Sequence, residues 1–214
     1  MLFRSHFVSS TPLRVTLVEA IGERAYLGAY SLISFATIGW MVWAYLRAPF
    51  LPLFQIPGLK LWPLAVMPFS LILLAAGLMT RNPSLAGRHA QLKDDEPARG
   101  IVRVTRHPVM WSIAIWAAVH IIARGDVASL IFFGGFAFAA LAGTRLIDLR
   151  KAETLGDDWR RFAAVTSNVP FTAIVEGRNR FVFAEVGWKR IGAGLGAFAV
   201  LLAAHPYVFR AHPF

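Results

Sequence analysis

Long apolar stretches alternate with short polar and basic segments along this chain. A helix needs about 20 apolar residues to cross the hydrocarbon core of a bilayer. The third and fourth stretches are separated only by Arg124-Gly125-Asp126, which predicts a tight antiparallel helical hairpin. The pattern predicts five membrane-spanning helices, at about residues 26–46, 61–80, 109–123, 127–146 and 191–209.

The expected fold class is therefore an all-α integral membrane protein, a bundle of about five transmembrane helices forming a single domain over residues 1–214. Composition agrees, since 57% of the residues are hydrophobic and 16% are charged, against roughly 25% charged in soluble domains. The chain has no cysteine. Disulfides, thiolate-ligated haem, iron–sulfur clusters and cysteine-based zinc sites are thereby excluded.

The formal net charge of +10 comes from basic residues that lie between the apolar stretches. Six Lys or Arg fall within residues 81–106 and nine within 145–190. Because basic loops stay on the cytoplasmic side, we expect both segments to face the cytoplasm in a bacterial inner membrane. The mixture of aromatic and basic residues from Asp157 to Glu185 predicts a cytoplasmic interfacial segment. No nucleic-acid partner is expected.

Two histidines mark the ends of the third apolar stretch. Thirteen helical residues separate His107 from His120, which is about 20 Å of rise and about 220° of rotation, so the two cannot share one metal ion. His107 follows Arg106 and precedes Pro108 at a predicted helix N-terminus. Such a pair either cradles an anion or carboxylate, or lies among lipid headgroups.

His120 has apolar neighbours on both sides in the sequence. An ionisable side chain in an apolar span is costly and needs a partner or a task. Two interpretations stay open: an imidazole hydrogen-bonded to a neighbouring backbone or hydroxyl group, or a neutral imidazole that binds a metal or haem iron. His6, near the start of the chain, is a second candidate ligand.

Several motifs of the chain are shared with one known family. They are Ser5-His6-Phe7-Val8-Ser9-Ser10, Gly22-Glu23-Arg24-Ala25-Tyr26-Leu27-Gly28, Asn82-Pro83-Ser84-Leu85-Ala86-Gly87, Thr105-Arg106-His107-Pro108 and the stretch from Trp116 to Leu130. On these motifs the chain resembles NnrU-type membrane proteins, to which the plant zeta-carotene isomerases are also similar. The resemblance runs to about Arg180.

This resemblance implies an all-helical membrane bundle linked to nitrite and nitric oxide metabolism in denitrifying bacteria. It also implies haem b as the cofactor, because the isomerase relatives hold a b-type haem between two histidines that match His6 and His120. Arg4, Arg106 and His107 would be basic groups that pair with the haem propionates. The implied partners are the lipid bilayer, haem, and an apolar small molecule or a denitrification enzyme.

A looser resemblance points to another function. Arg106-His107-Pro108, followed later by Gly156-Asp157-Asp158-Trp159-Arg160-Arg161-Phe162, resembles membrane methyltransferases that act on isoprenylcysteine or phospholipids. S-adenosylmethionine would then be the cofactor, bound by Arg106, His107, Asp148 and Arg160, although the paired glutamates of that family are replaced here by Ile147 and Asp148. A third hypothesis is a non-catalytic assembly partner of a respiratory metalloenzyme.

Overall fold

A computed structural model describes residues 12–85, 90–94 and 96–209 of the chain. The regular secondary structure of these residues is helical, with no β-strand. The α-helices are α1 (Pro12–Ile21), α2 (Glu23–Arg47), α3 (Trp62–Met79), α4 (Pro108–Arg124), α5 (Val127–Val165), α6 (Thr172–Val175), α7 (Phe183–Val186) and α8 (Trp188–Phe209). Short 3-10 turns lie at Leu59–Leu61, Ala90–Lys93 and Gly100–Arg103.

The chain divides into two compact units, and the first, Met1–Pro49, contains α1 and α2. Helix α2 begins after Gly22, whose positive φ of 79° ends the preceding helix. Its apolar side chains point outward, as Phe35 does with 75% exposure. An apolar helix with an exposed apolar surface suits a lipid environment.

The second unit, Phe50–Phe214, contains α3 to α8. Helix α3 packs against both α4 and α8, and small residues allow these close approaches. A Cβ added to Gly194 of α8 would lie 2.5 Å from the Cα of Ile72. On the other side of α3, a Cβ on Gly77 would lie 2.9 Å from the Cγ of Pro108. Larger residues at either glycine would push the helices apart.

Helices α4 and α5 are joined by two residues that end one helix and begin the next. Gly125 adopts the left-handed conformation at φ 61°, and Asp126 caps α5 by accepting a hydrogen bond from the Ser129 N–H. His120 contacts Phe133 close to this junction, whereas His107 contacts Asp148 far from it. The two helices therefore run antiparallel along their shared length.

The prediction of an all-helical membrane protein is confirmed, and four helices of the described chain are long and apolar enough to cross a membrane. They are Glu23–Arg47, Leu59–Met79, Val127–Val165 and Trp188–Phe209. The remaining predicted span, 109–123, corresponds to α4, which has 17 residues. Its length is limited by Pro108 at its first turn and by the left-handed Gly125 at its end.

Helix α5 extends far beyond the apolar stretch predicted to end at residue 146, and continues to Val165 with a non-helical residue at Gly156. The first part of the basic segment 145–190 is thus helical rather than a loop. Its pattern explains this, since Trp159 and Phe162 are buried while Arg160 and Arg161 face solvent.

Candidate functional site

The residues before α4 are held to α5 by a cluster that we call the polar junction, made of Arg106, His107 and Asp148. The Arg106 guanidinium donates to the Asp148 carboxylate, with Nε 3.0 Å from both oxygens and one terminal nitrogen 2.6 Å from Oδ2. The Nε2 of His107 lies 2.7 Å from Asp148 Oδ1. His107 is 2% exposed, so this contact is made away from solvent.

The hydrogen bonds of the polar junction determine the tautomer of His107. A carboxylate paired with a guanidinium accepts only, so Nε2–H of His107 is the donor. Nδ1 of the same ring is buried and has no hydrogen-bond partner among the described residues. One carboxylate therefore satisfies both neighbouring donors, and the charges of Arg106 and Asp148 balance within the protein.

A network of neutral groups fixes the chain around the polar junction. The Thr105 hydroxyl donates to the Asn168 carbonyl and accepts from the His107 backbone N–H. The Asn168 side chain accepts from the Trp111 indole at 3.3 Å and donates to the Thr144 hydroxyl at 2.8 Å. The loop before α4 is thereby held to the segment after α5.

An open groove of about 570 Å³ lies beside the polar junction, lined in part by Arg106, Ser167, Asn168 and Arg178. Both cations are already engaged. Arg106 pairs with Asp148, while Arg178 pairs with Glu176 and donates to two backbone carbonyls. Little uncompensated positive charge faces the groove.

A second ion pair lies nearby, between the buried Arg103 and the partly exposed Glu185. The Arg103 Nε is 2.8 Å from Glu185 Oε2, and the same oxygen accepts the Gly100 N–H at 2.7 Å. The hydrogen bond from Arg103 lowers the pKa of Glu185, and the same carboxylate raises the pKa of Arg103. This pair joins the 3-10 turn before α4 to α7.

The environment of His120 is apolar and aromatic, and we call it the apolar histidine site, made of His120, Trp116 and Phe133. The ring of His120 lies 5.7 Å from that of Trp116 and 5.1 Å from that of Phe133, between centroids. Its Nδ1 is 2.7 Å from the Trp116 carbonyl oxygen, one turn earlier in α4. The imidazole is partly exposed.

The carbonyl contact leaves one nitrogen of His120 available. A carbonyl only accepts, so Nδ1 carries the hydrogen and Nε2 keeps its lone pair. Histidines that bind metals commonly donate their other N–H to a backbone carbonyl or carboxylate, which fixes the ring and its tautomer. The donor set at His120 therefore fits a residue that would hold a haem iron through Nε2. The described residues contain no group of three or more side chains able to hold a metal ion.

The sequence model of one protein family, described as NnrU protein, matches residues 1–213. This chain belongs to that family. Parts of it are also similar to proteins named 15-cis-zeta-carotene isomerase, chloroplastic. The Arabidopsis thaliana protein is 35% identical over 79 residues, covering 37% of this chain and 22% of the relative, and the Zea mays protein is 32% identical over 81 residues, covering 38% and 22%.

The NnrU chain thus matches less than a quarter of the length of these isomerases. No solved structure matches it. The family match confirms the resemblance inferred from the motifs.

The structure of this NnrU protein separates the candidate site residues into groups. Arg106 and His107 lie in the polar junction, whereas His120 is in the apolar histidine site. His6 and Arg4 lie outside the described residues. Four residues were predicted to bind the methyl donor in the alternative function. Three of them, Arg106, His107 and Asp148, lie together in the polar junction. The fourth, Arg160, has a side chain that is 71% exposed and pairs with Asp157.

Sequence reasoning missed the aromatic and amide groups that complete the two sites. Trp116 and Phe133 flank His120, and their contact follows from the antiparallel packing of α4 on α5. The sequence could have indicated this contact, because residues at similar distances before and after the α4–α5 junction face one another in an antiparallel pair of helices. Asn168 gave no comparable signal, because it lies in irregular backbone after Val165.

Proposed function

We propose that this NnrU-family protein is a b-type haem-binding membrane protein with isomerase-like activity on an apolar small molecule, and that His120 is an iron ligand. One observation carries the proposal: Nδ1 of His120 is bound to the Trp116 carbonyl, so that Nε2 is presented as a lone pair in an apolar, aromatic site. The partial similarity to proteins named carotene isomerases supports the choice of reaction class.

The residues of the apolar histidine site have separable roles in this proposal. The Trp116 carbonyl orients the imidazole and sets its tautomer. Phe133 and Trp116 exclude water and offer ring surfaces to a flat, apolar ligand. A bound haem would supply a redox-active iron able to interact with nitric oxide or an apolar substrate, which also accommodates the proposed link to nitrite and nitric oxide metabolism.

The family resemblance makes His6, outside the described residues, the candidate for a second histidine that would hold the haem. Propionate binding is better assigned to Arg124 than to Arg106 or His107. Those two residues lie about 20 Å from His120 along the chain direction of α4 and are already bound to Asp148. Arg124 is one turn beyond His120, its side chain is 47% exposed, and only its Nε contacts Asp126.

Absorption spectroscopy of the detergent-purified chain with added hemin tests the proposal. We expect a Soret band with stoichiometric uptake in the wild type, its loss in His120→Ala, and a changed ligation spectrum in His6→Ala. Arg124→Gln should weaken hemin affinity, and Arg160→Gln, a matched exposed arginine, should not. A wild-type protein that takes up no more hemin than His120→Ala would refute the proposal.

A second candidate function is methyl transfer from S-adenosylmethionine, and one observation favours it. Arg106, His107 and Asp148 come together beside an open groove, as that alternative requires. We rank it lower because Asp148 pairs with Arg106 and Glu176 with Arg178, so that neither described cation lining the groove is free for the carboxylate of the donor. Calorimetry with S-adenosylmethionine separates the functions: binding without hemin uptake would reverse the ranking.

A further inference from the structure

Three exposed aromatic residues form a continuous row at the start of α8, and we call Phe181, Phe183 and Trp188 the aromatic ladder. The ring centroids of Phe181 and Phe183 lie 6.3 Å apart, and those of Phe183 and Trp188 lie 5.6 Å apart. Their exposed fractions are 48%, 52% and 76%. Three large rings that contact one another and also face outward form an apolar surface that water solvates poorly.

Two cations flank the aromatic ladder in the sequence and differ from three other arginines of residues 157–189. Arg160, Arg161 and Arg178 each pair with an acidic residue close in sequence. Arg180 and Lys189 are exposed, and neither side chain has an acidic partner among the residues that the structure describes. In the sequence, the apolar row is thus bounded by two exposed cations without an acidic partner among the described residues.

The aromatic ladder is continuous with a membrane span and is held firmly. Trp188 is the first residue of α8, a helix long and apolar enough to cross a membrane. Glu185, between Phe183 and Trp188, is bound by Arg103 and by the Gly100 N–H. The ladder therefore has a fixed position beside the level at which α8 would enter the lipid.

We propose that the aromatic ladder inserts at the boundary between lipid headgroups and acyl chains, and that Arg180 and Lys189 bind the phosphates of anionic phospholipids. Aromatic rings are enriched at this depth, and basic residues beside them are attracted to anionic headgroups. The chemistry of the surface, apolar in its middle and positive at both ends, matches a lipid boundary. It restricts the interfacial segment expected from Asp157 to Glu185 to its C-terminal end and extends that end to Lys189.

The absence of cysteine from the sequence makes site-directed spin labelling direct. Ala184→Cys places a label beside the ladder at an exposed position, and Asp157→Cys places one at an exposed position whose native residue pairs with Arg160. In nanodiscs of phosphatidylcholine and phosphatidylglycerol, we expect the first label to collide more with oxygen than with a water-soluble nickel chelate. The second label should show the reverse. An aqueous collision profile at Ala184→Cys would overturn the proposal.

Headgroup recognition is tested on the same label. When phosphatidylglycerol is replaced by phosphatidylcholine, the label at Ala184→Cys should collide less with oxygen and more with the nickel chelate. The double substitution Arg180→Gln with Lys189→Gln should remove this dependence on the lipid. Arg160→Gln with Arg161→Gln is the matched control and should retain it. An unchanged lipid dependence in the Arg180 and Lys189 variant would overturn the phosphate assignment, and dipolar coupling between labels on two copies would show that a second copy covers the ladder instead.

Discussion

Two histidines at either end of α4 have contrasting environments. His107 is 2% exposed and is bound to a carboxylate that also binds Arg106. His120 is partly exposed and contacts a backbone carbonyl and two aromatic rings, and His205 of α8 lies close enough to interact with it electrostatically. The same residue type thus takes part in an ion-pair cluster at one end and has a free lone pair at the other.

In the proposed function, this difference separates a role in folding, at His107, from a role in binding, at His120. Breaking a buried charged cluster leaves an uncompensated charge and destabilises the fold strongly. A histidine held by one carbonyl contributes little to stability, and in the proposed function its fixed orientation serves ligand binding at the second nitrogen. We therefore expect variants of the polar junction to lose stability, and variants of the apolar histidine site to lose hemin uptake.

The largest effect should come from Asp148→Asn. The substitution leaves the Arg106 guanidinium, whose side chain is 14% exposed, without its anionic partner. We expect a loss of about 3 kcal/mol in the free energy of unfolding, measured by denaturation of the detergent-purified protein. Asp157→Asn is the control, because that carboxylate is 86% exposed and its pair with Arg160 is solvated. Equal, small losses in both variants would contradict the structural role of the junction.

The next largest effect on stability is expected when each histidine is replaced separately by alanine. His107→Ala removes one donor to Asp148, so we expect a loss of about 2 kcal/mol with hemin uptake per folded molecule unchanged. His120→Ala should change stability by less than about 1 kcal/mol and abolish hemin uptake. Size-exclusion chromatography before spectroscopy restricts the comparison to folded protein. If both variants lost stability and hemin to the same extent, the separation of roles would be wrong.

The helices that carry the two histidines could be predicted from the sequence better than the side-chain contacts of the histidines. Apolar runs are local, so the helices and the short link at Gly125 and Asp126 were visible in the hydrophobic pattern. The pairing of His107 with Asp148 follows from folding α4 back on α5 at that link, although Asp148 entered the sequence analysis only as a methyl-donor residue.

Other features depend on tertiary contacts that no local pattern encodes. Helix α5 continues to Val165 because Trp159 and Phe162 bury themselves against the core, beyond the point where hydropathy falls. Asn168 reaches Thr144 and Trp111 from irregular backbone, whose path is set by many small contacts.

A smaller effect is expected at Ser70 of α3, which contacts α4 at Ser112, between the positions of the two histidines. Its hydroxyl donates to the Ser112 carbonyl oxygen at 2.9 Å, and both residues are buried. Ser70→Ala should cost about 1 kcal/mol of unfolding free energy and leave hemin uptake unchanged. Ser112→Ala keeps the accepting backbone carbonyl and should cost less. A loss of hemin in Ser70→Ala would show that the apolar histidine site extends along α4.

The smallest effect concerns the loss of folding stability at acidic pH. We expect this loss to depend on the Arg103–Glu185 ion pair and not on the apolar histidine site. Arg103 lowers the pKa of Glu185 below its value in the unfolded chain, so this pair stabilises the fold fully above the unfolded pKa. That contribution is lost as the pH falls through the lower, folded value.

Glu185→Gln should therefore flatten the fall in stability of the wild type in this acidic window, by about 1 kcal/mol at most because the side chain is 28% exposed. Unfolding measured from neutral to acidic pH checks this, with Glu176→Gln, whose carboxylate is half-exposed, as the control. The described contacts of His120 include no carboxylate. An equally flattened profile in His120→Ala would therefore place acid sensitivity in the apolar histidine site and break the contrast between the two ends of α4.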